Sequence, residues 1–155
     1  MLEFSFLPTG ESRELVDDLR QVFADLAATL GPEQRAYSGE YHPALDVVET
    51  STDVEIVIDL AGVPSDAVRV LFRGDVLIIA GEKAPPPTAS DPNFHLLERG
   101  FGRFARAVRL SGAFEIGRAQ ATLTAGELTI ILPKRVDRRG QAQRIPIETD
   151  SHRPV

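Results

Sequence analysis

Residues 53–60 read DVEIVIDL, and the order of apolar and charged residues in this run decides the fold class. Val54, Ile56, Ile58 and Leu60 alternate with Asp53, Glu55 and Asp59. That period of two puts one face of a strand in a core and the other in water. Beyond it, Ala61-Gly62-Val63-Pro64 turns the chain. In VRVLFR (68–73), Val68, Val70 and Phe72 then share one side. Gly74-Asp75 makes a tight turn into VLIIAGE (76–82). Further strands are expected at Leu45–Glu49, Arg103–Leu110, Ala119–Thr124 and Glu127–Leu132. Short strands separated by turn signals, with little helix among them, predict an all-β, immunoglobulin-like antiparallel sandwich.

Ahead of the strands the period is helical. Leu15, Val16, Leu19, Val22, Phe23, Leu26 and Leu30 fall at spacings of one, three and four, giving one apolar stripe. Ser12 can cap the helix, Glu14, Asp17 and Asp18 suit its positive end, and Gly31-Pro32 stops it. No second helix is expected in the chain, so the stripe must cover the sandwich or meet another molecule.

APPPTASDPN (84–93) is a Pro-rich loop that cannot join a ladder, and FHLLE (94–98) is expected as a short strand beyond it. After the last strand, RVDRRGQAQR (135–144) is polar, followed by IPI at 145–147. The chain thus divides into an N-terminal arm with an amphipathic helix (1–42), a sandwich domain (43–134) and a C-terminal extension (135–155).

Charge and composition narrow the function. The 155 residues carry a formal net charge of −6, unfavourable for nucleic acid unless basic residues share a face. The charge is uneven: residues 1–97 sum to −11 and residues 98–155 to +5. Attraction between the unlike ends of two subunits is one use for this; two separately solvated segments is the plainer one. There is no cysteine, hence no disulfide framework. MLEFSFLPTG lacks the basic start of a secretory signal, and no apolar run is long enough to span a bilayer, so a cytoplasmic protein is expected.

Arg99-Gly100-Phe101-Gly102 opens like the base-stacking signature of RNA-recognition modules. The aromatics that should follow are replaced by Arg103 and Arg106, so the stacking platform is missing. Catalytic patterns are also missing: no Walker-type loop, no Gly-x-Ser-x-Gly elbow, and no metal spacing among His42, His95 and His152. Glu55 and Asp59 are explained as the wet face of a strand. No enzyme, cofactor or metal is expected. A ligand-binding sandwich would want an aromatic platform, but the chain has no Trp and only Tyr37 and Tyr41.

Six segments together resemble a known family: PALDVVE (43–49), DLAGV (59–63), VLIIAGE (76–82), ERGFGRFARAVRL (98–110), AGELTIILPK (125–134) and IPI (145–147). In this order and spacing they resemble the small heat-shock proteins of the α-crystallin family, bacterial class. Ala61, Gly100 and Glu127 depart from the usual pattern without removing a functional part.

The resemblance implies a two-sheet α-crystallin domain and a dimer in which a loop strand crosses to the partner's sheet. Phe94, His95, Leu96, Leu97 and Glu98 would be that strand, with Arg106 in the polar network of the interface. Ile145, Pro146 and Ile147 would be a tag, docking in a groove lined by Val68, Val70, Phe72, Ala121 and Leu123 and building dimers into larger oligomers. Client proteins, partly unfolded, would meet Phe4, Phe6, Leu7 and the helix stripe at Leu15, Leu19, Val22, Phe23 and Leu26. The implied activity is to hold clients without ATP, with ATP-dependent chaperones downstream. The rival is a monomeric, co-chaperone-like sandwich that docks one folded partner.

Overall fold

The computed structural model describes residues 12–29 and 41–136. Helix α1 (Ser12–Thr29) precedes seven strands: β1 (Leu45–Glu49), β2 (Asp53–Asp59), β3 (Val68–Arg73), β4 (Val76–Lys83), β5 (Gly102–Arg109), β6 (Gln120–Thr124) and β7 (Glu127–Pro133). All pairings are antiparallel. One sheet runs β1-β2-β7-β6 and the other β3-β4-β5. The expected β-sandwich is therefore present, with strand ends within a residue or so of those read from the pattern.

The alternation in DVEIVIDL does what the period requires. Val54, Ile56 and Ile58 are buried, and their register partners Leu132, Ile130 and Leu128 on β7 are buried beside them. Leu77 and Ile79 of β4 and Phe104 and Val108 of β5 complete the core from the other sheet. Each such aliphatic side chain contributes roughly 1.5–3 kcal/mol by leaving water.

Two glycines make close approaches possible. Gly81 lies opposite Phe104 on β5. A Cβ there would sit 2.4 Å from the Ala67 carbonyl oxygen and 2.5 Å from the Phe104 ring. Ala125 and Gly126, with φ of 53° and 80°, form the two-residue turn between β6 and β7, the left-handed geometry that matches strand twist. Leu60 N–H donates to the Gly126 carbonyl, seating that turn on the segment after β2.

Strand β4 departs from alternation: all eight of its residues are buried. Leu77 and Ile79 face the core, while Val76, Ile78 and Ala80 form a second cluster with Val22 and Leu26 of α1. An unbroken apolar run is the expected composition of a strand covered on both faces. Of the two fates open to the helix stripe, covering the domain is the one observed.

Residues 94–98 are not a strand here. A strand needs a ladder partner, and within this chain the segment has no partner strand among the described residues. Phe4, Phe6 and Leu7 of the arm and the Ile145-Pro146-Ile147 segment lie outside the described residues, as does the side chain of Leu15.

Candidate interaction surfaces

The loop between β4 and β5 leaves and rejoins the sheet at the Lys83–Gly102 register pair. Along it Phe94, His95, Leu96, Leu97 and Glu98 are all exposed. Phe94 is 55%, Leu96 73% and Leu97 72% accessible, high values for large apolar side chains. Phe94, Leu96 and Leu97 line a cavity of about 430 Å³ together with Pro85, Pro86, Phe101 and the charged Glu98 and Arg99. Strand β1 is a sheet edge, and Val48 on it is 54% accessible. An open edge with an exposed Val offers main-chain donors and acceptors to another strand.

The base of the loop carries a cluster that the sequence pattern did not reveal. Lys83 is buried, with its ammonium 4.5 Å from the centre of the Tyr41 ring and 5.8 Å from that of Phe101. The Arg99 guanidinium lies 5.0 Å from the same Phe101 ring. Burial, and after it the positive charge of Arg99, holds the Lys83 amine below its ordinary value. The aromatic faces partly offset what the cation loses by leaving water. Tyr41 is fixed in turn: its N–H donates to the Arg103 carbonyl and its hydroxyl to the Asp59 carbonyl.

Arg106 is half-buried on β5, and its Nη1 donates to the Pro43 carbonyl. Within the chain it pins the segment that leads into β1, an edge strand. At the other end of β1, Lys134 Nζ contacts Glu49 Oε1 and donates to the Thr50 carbonyl, both at 2.6 Å. The hydrogen bond that Lys134 Nζ donates to the Glu49 carboxylate, and after it the lysine's charge, hold that carboxyl below its ordinary value of 4.5.

The expected docking groove lies along β3 and β6, edge strands of the two different sheets. Val68 is buried, and Val70, Phe72 and Leu123 are half-buried against the main core. Ala121 is exposed. Phe72 is held edge-on against Phe114, ring centres 6.1 Å apart. Of the five residues expected to line the groove, one is thus buried, three are half-buried and Ala121 is exposed.

From Leu19 to Leu26 the helix stripe is already occupied. Val22 is 5% and Leu26 1% accessible, and Leu19 and Phe23 pack partly against the same cluster. These residues do not form open surface while α1 is docked. At the head of the helix, Arg73 at the end of β3 contacts Asp18 at 2.5 Å and Glu14 at 3.1 Å. Arg103 of β5 lies over the Phe23 ring at 5.3 Å.

Among the described residues, no group of His, Asp or Glu is placed to hold a metal ion, and no helix is long and apolar enough to cross a membrane.

A sandwich of this topology with these motifs has close counterparts. The model of the Hsp20/alpha crystallin family matches residues 46–148, and the chain belongs to that family. It is 34% identical over 107 residues to a 16.6 kDa heat shock protein of Oryza sativa subsp. japonica, covering 66% of this chain and 71% of that one. It is 30% identical over 133 residues to heat shock protein 16 of Schizosaccharomyces pombe, covering 84% and 87%. A crystal structure of a small heat-shock protein from Xylella fastidiosa superposes with a TM-score of 0.61 at 25% identity, over 70% of this chain and 98% of that one. The class is thus a small heat-shock protein with an α-crystallin domain, and its family supports a chaperone role.

Proposed function

We propose that this chain is a cytoplasmic, ATP-independent holdase: it binds partly unfolded proteins and keeps them from aggregating, without catalysis. The observation that supports this reading is the α-crystallin domain matched over residues 46–148, which carries large exposed apolar side chains at Phe94, Leu96, Leu97 and, on the edge strand β1, Val48. Exposed apolar side chains of this size mark surfaces that meet other chains.

The assembly follows from the same surface. Residues 94–98 cross to a partner as a strand, and the β1 edge, held at both ends by Arg106 and Lys134, is the receiving edge. Glu98 brings a carboxylate toward Arg106, whose partner among the described residues is the Pro43 carbonyl. The Ile145-Pro146-Ile147 tag then docks between β3 and β6 and links dimers. Burying two Ile contributes roughly 3–6 kcal/mol gross, much of it offset by lost freedom. Single tags therefore bind weakly and several per assembly hold by avidity, giving an oligomer whose subunits exchange. ATP-dependent chaperones would act downstream on the held clients.

The test is light scattering from a heat-labile enzyme during warming, without nucleotide. Suppression at near-stoichiometric amounts is expected; no suppression at any temperature, even after warming this protein alone, would favour docking of one folded partner. Assembly has its own check. Deleting residues 85–97 should leave monomers by native mass measurement, and an unchanged dimer mass would refute strand exchange.

A further inference from the structure

The contact between α1 and the outer face of the β3-β4-β5 sheet has a pattern more specific than apolar cover. Glu14, Asp18, Val22 and Leu26 are spaced by four, so they form one ridge along the helix. The ridge reads acid, acid, apolar, apolar. The sheet beneath it has the matching order. Arg73 at the end of β3 meets both carboxylates, with Nη2 donating to Asp18 and Nη1 to Glu14. Past the turn, Val76, Ile78 and Ala80 on β4 meet Val22 and Leu26. Beyond them the strip ends in charge: Glu82 is buried 3.8 Å from Arg103, and Arg103 also lies against Phe23.

We propose that this outer face is a binding site for an amphipathic helix whose leading turns are acidic, that α1 is its resident occupant, and that a client segment of the same pattern displaces α1. The last part rests on the holdase reading; the site itself does not. The apolar strip supplies the attraction, and a charged group at each end fixes direction and register. Arg73 is the selecting group, because two carboxylates one helical turn apart converge on a single guanidinium. A helix with basic leading turns would bring like charge to Arg73, and one laid in the reverse direction would leave Arg73 facing apolar residues and carry its carboxylates toward the buried Glu82. The site is closed in the resting chain by a helix on its own tether, so an outside segment competes against a high local concentration.

The experiment uses the full chain carrying Val22→Asp together with Leu26→Asp, which frees the face and keeps Arg73. The probe is a fluorescent peptide of residues 12–29, read by anisotropy at low salt, unheated and without client. The peptide should bind this variant at least about tenfold tighter than the unaltered chain, whose face is filled. A peptide with Glu14→Lys and Asp18→Lys should bind about tenfold or more weakly. Adding Ile78→Asp to the receiving chain should abolish binding. No binding, or equal binding of the two peptides, would overturn the proposal. Since binding is read directly, peptide binding without any suppression of aggregation would refute the holdase reading and leave the site standing.

Discussion

The two faces of β4 are buried to the same extent by very different neighbours. Its inner face, Leu77 and Ile79, is packed against strands from both sheets. Its outer face, Val76, Ile78 and Ala80, is covered by Val22 and Leu26 of one helix. Accessible area does not separate the two, since Ile79 is 0% and Ile78 1% exposed. Opening the inner face requires the sandwich to unfold. Opening the outer face requires only that α1 leave, with every ladder hydrogen bond of β4 kept. Equal burial therefore hides unequal permanence, and the face that opens cheaply is the one suited to a protein that must offer apolar surface on demand.

The largest expected effect is on the inner face. Ile79→Ala should cost about 2–5 kcal/mol of global stability, read as a lowered denaturant midpoint with unchanged slope. Gly81→Ala comes next. Its new Cβ meets the Ala67 carbonyl, a backbone atom that cannot swing aside, so a loss of about 1–3 kcal/mol is expected. If Gly81→Ala were neutral, the close approach of Phe104 to β4 would not be a constraint. Leu26→Ala removes a side chain as buried as Ile79, yet its cost is capped by the free energy of docking α1. The global midpoint should therefore move by less than about 1 kcal/mol. A loss matching that of Ile79→Ala would erase the distinction between the faces.

The smallest effect is at Glu49, outside either face. Its carboxyl is held low in the folded chain by Lys134, so the contact supports folding above the ordinary carboxylate range. That support fades as pH falls through the lowered folded value. The stability difference between the native chain and Glu49→Gln should be positive at neutral pH and vanish in acid, followed by denaturant midpoints across pH. A difference that persists in acid would assign the effect to something other than this charge.

Much of this was readable from residue order. DVEIVIDL sets a half-buried strand, Gly74-Asp75 a hairpin, and the stripe from Leu15 to Leu26 a helix with one sticky face. Periodicity reports which residues share a face but not what lies across from it. Residue order therefore does not specify the cover of α1 on β4, although the unbroken VLIIA run signals burial on both sides. The cluster of Tyr41, Lys83, Arg99 and Phe101 joins residues up to sixty apart in sequence, and no local pattern announces it. Arg106 stands between Phe104 and Val108 on one face of its strand, and its partner is a main-chain carbonyl, which residue identity cannot specify. The segment 94–98 has strand composition and no strand, because composition supplies only one half of a ladder.

The most direct test of the distinction between the two faces is amide hydrogen exchange followed with temperature, comparing α1 with β2, β5 and β7. The amides of α1 should lose protection well below the temperature at which those strands do, with β4 remaining paired in between. If α1 and the core strands lost protection together at every temperature, the outer face would be as permanent as the inner one. The idea of a face that opens on demand would then be wrong.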